Sequence, residues 1–127
     1  MPQIPTVEND KETAMATTTI ANDFLDTQVR LLQAGDTSAL AERYAEDAVF
    51  IRFDFEARGR AEIKKMFDGY LTENPEVGDL AGVKITEDLI LYQAPERLNG
   101  KQYWAVGTLY FENGLVKRQT ATFVERS

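Results

Sequence analysis

Two helical patterns and a strand pattern follow one another between Ile20 and Asp54, and they constrain the fold most strongly. Apolar side chains recur every three or four residues in each helical pattern, so they lie on one helix face. Gly35 ends the first helix because glycine adopts left-handed angles without steric cost. Asp36 or Thr37 caps the second. The sequence therefore predicts a helical hairpin with these buried positions: Ile20, Phe24, Leu25, Val29 and Leu32, then Leu40, Ala41, Tyr44 and Ala45.

The strand pattern covers residues 48–55, AVFIRFDF, which are rich in β-branched and aromatic side chains. Alternation places Phe50, Arg52 and Asp54 on one side of the strand. Both sides are largely apolar, so we expect both to be covered. Charged residues are rarely buried unless they are paired. Either Arg52 pairs with Asp54, which their spacing permits, or Asp54 faces a pocket as an acid or base.

One more helix and four strands are predicted in the remainder of the chain. The helix covers about residues 61–71, and Asn74-Pro75 ends it. Residues 1–18 show no apolar period and predict a mobile tail before a single domain, residues 19–127. The predicted strands are Val83–Glu87, Leu89–Gln93, Lys101–Phe111 and Leu115–Glu125, with hairpin connections at residues 94–100 and 112–114.

Composition removes several classes of site. The chain has no cysteine and no histidine, so disulfides, thiolate or imidazole metal ligands and histidine-dependent nucleophiles are excluded. Net charge is −7, from 14 basic and 21 acidic residues, which makes nucleic acid an unfavourable partner. No apolar run reaches the ~20 residues that span a bilayer, and no secretory signal pattern is present. We expect a cytoplasmic protein with no cofactor.

Three stretches carry recognisable motifs: QAGDTSALAERYAEDAVF, ARGRAEIKKMF and YFENGLVKRQTATF. Together they resemble the nuclear transport factor 2-like superfamily, which includes SnoaL-like and ketosteroid isomerase-like proteins. The resemblance implies an α+β fold with element order α-α-β-α-β-β-β-β. It further implies a cone-shaped barrel, in which a strongly curved mixed sheet wraps around three helices and leaves a pocket at its open end.

The ketosteroid isomerase pattern is not preserved at its functional positions. The resemblance places the family's oxyanion-donor tyrosine at Gln28, its catalytic aspartate at Arg52 and its second donor aspartate at Gly107. Steroid isomerisation by those residues is therefore not expected. Asp54, two residues beyond the aligned base, is the candidate catalytic carboxylate, and Arg52 is its candidate partner.

Alternation along the last two strands predicts the pocket wall. Ala105, Gly107 and Ala121 are small and leave space, unless larger neighbours fill it. Gln28 either holds a ligand oxygen or borders the apolar stripe, and Tyr44 is either core or ligand contact. The candidate ligand-binding residues are Gln28, Tyr44, Phe50, Tyr103, Gly107, Leu109, Gln119 and Phe123.

The opposite face of the same strands is unusually apolar for a surface. Its residues include Trp104, Val106, Tyr110, Thr122 and Val124. Such a patch indicates an interaction site, and the family resemblance implies a homodimer through this face.

Two functional hypotheses follow. In the first, a SnoaL-like pocket binds a small, largely apolar molecule and carries out cofactor-free proton transfer, such as isomerisation, cyclisation or dehydration. In the second, the domain is a non-catalytic module for ligand binding or assembly. The sequence does not decide whether the protein is an enzyme.

Overall fold

The computed structural model describes residues 22–126. The predicted tail, residues 1–18, and the first turn of the predicted first helix lie outside the described residues. No helix in the described part is long and apolar enough to cross a membrane.

The predicted helical hairpin is present. Helix α1 includes residues 22–34, and Gly35 ends it with a φ of +71°. Helix α2, Thr37–Glu42, begins where the Asp36 carboxylate accepts a hydrogen bond of 3.1 Å from the Ala39 amide. This side-chain cap satisfies one of the amides that a helix start leaves unpaired.

Strand β1, Tyr44–Ile51, begins and ends four residues earlier than predicted. Tyr44 therefore belongs to a strand and not to the second helix, because it pairs in parallel with Val116 of the last strand. The chain then turns, and the Arg52 amide donates to the Phe55 carbonyl at 2.9 Å. This turn leads into the short strand β2, Glu56–Arg58, which the sequence pattern did not predict.

Helix α3, Gly59–Leu71, begins two residues before the predicted start. The Glu62 carboxylate accepts from the Arg58 amide at 3.0 Å and thereby caps its first turn. Ile63 and Phe67 lie on its buried face. Asn74 follows the helix with a φ of +52°, and Pro75 prevents its continuation.

The remaining strands are β3 (Glu76–Val77), β4 (Gly82–Ile85), β5 (Leu89–Leu98), β6 (Lys101–Glu112) and β7 (Leu115–Glu125). Together with β1 and β2, these five strands form one curved seven-stranded sheet in the order β2-β1-β7-β6-β5-β3, and β4 also pairs with β5. The β1–β7 pair is parallel and the other pairs are antiparallel, so the sheet is mixed. The predicted α+β architecture is confirmed.

Strand β5 continues through Pro95, where the prediction had placed a connection. Proline lacks an amide donor, so it fits a strand only where its nitrogen would have no hydrogen bond to make to a neighbouring strand. Pro95 lies between the part of β5 that pairs with β4 and the part that pairs with β3. Its carbonyl accepts from the Gly78 amide at 2.8 Å on that side, which leaves pairing with β6 intact. The connection to β6 shrinks to Asn99-Gly100.

The core lies between the helices and the concave face of the sheet. Its largest fully buried side chains are Tyr44, Leu40, Ile63, Leu109 and Val116. Burial of one such aliphatic side chain stabilises a fold by roughly 1.5–3 kcal/mol. The core packs one end of the sheet against α2 and α3, and the other end of the concave face stays open beneath α1.

Candidate functional site

A cavity of about 920 Å³ lies between α1, α3 and the concave face of the sheet. That volume is within the range of small-molecule pockets. Asp26 and Gln33 of α1, together with Asp79 and Leu80 beyond β3, line the cavity and are exposed to solvent. The cavity therefore opens between α1 and the segment that follows β3.

Apolar side chains from several elements form the cavity walls. Small side chains keep the middle of the sheet open: Ala94 of β5 lies directly opposite Ala105 of β6, and Ala121 of β7 follows one row away. The predicted space at Ala105 and Ala121 is present. The larger wall residues are Leu25, Phe50, Met66, Phe67, Tyr70, Leu109 and Phe123.

Gly107 serves a different purpose from the one its size suggested. It is buried and does not line the cavity. A Cβ at this position would lie 2.6 Å from the Tyr92 hydroxyl and 2.4 Å from the Thr120 carbonyl oxygen. The space that glycine leaves is therefore occupied by the Tyr92 side chain, which itself lines the cavity.

A chain of polar side chains begins at Arg43, between α2 and β1. Its guanidinium donates at 3.0 Å to the Phe24 carbonyl and at 3.0 Å to Oε1 of Gln28, and it lies 3.7 Å from the centre of the Phe24 ring. Burial lowers the pKa of Arg43 from its usual value. Because Oε1 of Gln28 faces this cation, its amide nitrogen faces the protein interior and the cavity.

The chain continues across the cavity floor. Nε2 of Gln28 donates to the Tyr44 hydroxyl at 3.2 Å, and that hydroxyl donates to Oε1 of Gln119. The Tyr92 hydroxyl is a neighbour of the Gln119 side chain, which opposes part of the rise that burial causes in the pKa of Tyr92. Burial raises the pKa of both tyrosines from the usual value, so both keep their protons at neutral pH. The floor is thus a polar cluster of fixed orientation that Gln28, Gln119 and Tyr92 present to the cavity.

Arg52 and Asp54 form an ion pair at the end of β1. Nε of Arg52 lies 3.1 Å from one Asp54 oxygen, and a second nitrogen lies 3.4 Å from the other. Arg52 lines the cavity and its guanidinium is 4.9 Å from the Phe123 ring centre. The Asp54 side chain is 63% exposed and outside the cavity lining. The structure thus brings Arg52, but not Asp54, to the cavity.

Glu96 of β5 also lines the cavity, although its residue is only 5% exposed. Its Oε1 is buried, and no hydrogen-bond partner for it exists among residues 22–126. Burial raises the pKa of Glu96 to about 7, and the positive charge of Arg52 opposes this rise. A buried carboxyl without a partner is costly and needs a physical explanation.

The predicted ligand-binding residues divide into two groups. Gln28, Phe50, Leu109, Gln119 and Phe123 line the cavity. The other three do not. Tyr44 is fully buried beneath the floor, Tyr103 packs edge-on against Phe123 with ring centres 6.0 Å apart, and Gly107 accommodates Tyr92.

Tyr92 and Glu96 are the polar lining residues of the sheet that the sequence analysis missed. Both belong to the inner face of β5, where every second residue from Ile90 to Leu98 points inward. The alternation was visible in the sequence, but Pro95 interrupted the predicted strand. Tyr92 lies within the predicted strand, and extending the alternation through the proline would have placed Glu96 on the same face.

The described residues bring no group of three or more acidic side chains close enough to hold a metal ion.

The outer face of the sheet carries the residues predicted for an interface. Trp104, Val106, Tyr110 and Thr122 are half-buried there, and Val124 is 50% exposed. Leu91 of β5 adds a further exposed apolar side chain to this face.

No protein-family model matches the chain, and no curated protein matches it. Solved structures do match. An NTF2-like protein of unknown function from Cytophaga hutchinsonii has a TM-score of 0.68 at 15% identity, with 80% of this chain and 88% of that chain covered. An NTF2-like protein from Anabaena variabilis has a TM-score of 0.74 at 12% identity, with 87% and 90% covered. An M. tuberculosis LEH-like epoxide hydrolase has a TM-score of 0.64 at 15% identity, with 78% of each chain covered.

Identities this low show a shared fold and carry no activity from one chain to another. The element order, the mixed curved sheet and these superpositions agree with the motifs found in the sequence. The chain therefore has the fold of these NTF2-like structures.

Proposed function

We propose that this domain binds a small, largely apolar molecule in the cavity between α1, α3 and the sheet. The observation that carries the proposal is the combination of apolar walls with a polar floor of fixed orientation. Apolar burial supplies most of the affinity of such pockets, and a few placed polar groups supply orientation. The Gln119 amide and the Tyr92 hydroxyl are those groups, because both residues line the cavity and the Tyr44 hydroxyl holds the Gln119 amide.

Cofactor-free proton transfer is a narrower form of this proposal. It requires an acid or base that faces the bound molecule. Asp54 is exposed and paired with Arg52, so it does not meet that requirement in this geometry. Binding is therefore the function that the site supports best.

The experiment uses the neutral fluorescent probe N-phenyl-1-naphthylamine and one substitution that fills the cavity. In Ala105→Phe, a phenyl ring would occupy the space opposite Ala94. We expect saturable probe binding to the wild type and its loss in this variant. Ala61→Phe is the matched control, because it adds the same ring on an exposed position of α3. Circular dichroism reports whether each variant is folded, and equal binding by folded Ala105→Phe would refute the proposal.

We also propose that two copies associate through the outer face of β5, β6 and β7. Leu91 and Val124 are 44% and 50% exposed on this face, and half-buried Trp104 and Val106 lie between them. The hydroxyls of Thr108 and Thr120 are hydrogen-bonded to each other at 2.6 Å on the same face. A two-fold axis would place the same apolar patch on both partners, which is how most homodimers form. Assembly through this face and binding in the cavity use opposite sides of the sheet.

A further inference from the structure

We infer that the cavity selects a ligand with a cationic amine, and that Glu96 is the residue that pairs with it. This inference rests on the proposed small-molecule pocket and names the chemical class of its ligand. It begins from the unpartnered carboxyl described above, which is more than nine-tenths buried and faces the cavity.

The paired strands β5 and β6 leave room for a ligand beside Glu96. The preceding inward residue of β5 is Ala94, and Ala105 lies directly opposite Ala94 on β6. Both alanines are buried and line the cavity. An apolar body against these methyl groups would bring an attached ammonium group to the Glu96 carboxyl. A charge-assisted hydrogen bond from the ammonium would satisfy the oxygen that the protein leaves unpaired.

The charges around the cavity favour a cation over an anion. Besides Glu96, the acidic lining residues are Asp23 and Asp26 of α1 and Asp79 beyond β3. The basic lining residues are Arg30 and Arg52, so the lining carries an excess of negative charge. The whole chain has a net charge of −7, which also attracts cations to the opening.

Arg52 is the positive group that acts on Glu96, yet the two do not form an ion pair. Within residues 22–126, no salt bridge joins Arg52 and Glu96. Arg52 instead makes two hydrogen bonds to Asp54. The charge of Arg52 is therefore balanced by Asp54, and the Glu96 carboxyl keeps its capacity for hydrogen bonds. Burial disfavours the carboxylate form of Glu96, since it raises the pKa of this residue to about 7. A bound ammonium group would favour the carboxylate form again.

Two probes of the same shape test this inference: naphthalen-2-ylmethanamine, which is a cation at pH 8, and naphthalen-2-ylmethanol, which is neutral. Calorimetric titration at about pH 8 should give at least about tenfold tighter binding of the amine by the wild type. Glu96→Gln should remove this preference, so that the amine and the alcohol bind this variant alike. Glu76→Gln is the matched control, because it makes the same substitution at an exposed position on the neighbouring strand β3.

A second measurement needs no variant. Between about pH 8 and pH 5 the Glu96 carboxylate takes up a proton, so amine affinity should fall while alcohol affinity stays constant. Equal binding of amine and alcohol by the wild type would overturn the inference, and so would full amine binding by Glu96→Gln. Binding of the alcohol in either case would leave the pocket proposal standing. If neither probe binds, both proposals fail.

Discussion

The Tyr92 hydroxyl occupies the space that a side chain on residue 107 would need, 2.6 Å from the position of a Cβ there. Because Tyr92 then reaches Gln119, a glycine on β6 determines the shape of the polar floor in the middle of the sheet. The small residue thus positions a polar group of the cavity rather than enlarging the cavity itself.

Gly107→Ala should therefore destabilise the fold. The added methyl would lie 2.4 Å from the Thr120 carbonyl oxygen, and backbone cannot move away as a flexible side chain can. We expect a loss of about 1–3 kcal/mol in the free energy of unfolding, measured with urea. Gly69→Ala is the control, since nothing beyond its chain neighbours and its own helix backbone lies within 4 Å of its Cβ position in α3. It should stabilise the helix by up to about 1 kcal/mol. Equal stability of both variants would contradict the described packing.

Tyr44→Phe tests the hydrogen-bonded chain beneath the cavity. Loss of the hydroxyl removes an acceptor for Gln28 and a donor for Gln119, and both amides are buried. Each buried group left unpaired costs about 1–3 kcal/mol, so the variant should unfold at clearly lower urea concentration. Tyr110 is half-buried on the outer face, and its hydroxyl makes no side-chain hydrogen bond among residues 22–126. Tyr110→Phe should therefore unfold at nearly the same urea concentration as the wild type. Similar losses of stability in both variants would argue against the hydrogen bonds of the Tyr44 hydroxyl.

The architecture was readable from the sequence because each element has a strong local signal. Apolar spacing and Gly35 mark the helical hairpin, and Asn113-Gly114 marks the last β-turn. Strand boundaries were less accurate at β1 and β5. Parallel pairing with Val116 draws Tyr44 into a strand, and this contact spans more than seventy residues of sequence. No local pattern contains that information.

The site was only partly predictable for a related reason. Alternation placed Gln119 and Phe123 correctly on the cavity wall. Pro95 appeared to end β5, so Glu96 was assigned to a connection. A proline is compatible with a strand when its missing donor faces a gap between neighbours, and only the arrangement of β3 and β4 shows that gap. The pairing of Asp54 with Arg52 was one of two predicted alternatives, and its exposure depends on the turn after β1.

Val106→Arg tests the proposed association through the outer face. Val106 lies on β6, between Gln93 of β5 and Thr122 of β7, near the centre of the apolar patch. In a two-fold interface the substitution would place two like charges close together in a desolvated patch. Light scattering should show twice the chain mass for the wild type and a single chain mass for the variant. Val83→Arg, on the edge strand β4, should keep the wild-type mass. A wild type of single chain mass would contradict the proposal directly.

The stability of the folded protein should depend on pH through Glu96. Burial raises the pKa of Glu96 from 4.5 to about 7, so the folded state binds more protons than the unfolded chain between these values. Stability contributed by the neutral carboxyl is therefore complete below about pH 4.5 and is lost as pH rises towards 7.

Glu96→Gln removes this titration and keeps a neutral side chain of the same shape. The wild type should lose up to about 3 kcal/mol relative to the variant between about pH 4.5 and pH 8, with most of the change below pH 7. Urea unfolding of both proteins across this range measures the difference. Asp47 and Asp68 have lowered pKa values, so their protonation falls below this window and cancels in the comparison. A difference that stays constant with pH would show that the Glu96 carboxyl is hydrated, and the cavity wall at this residue would then be open to solvent.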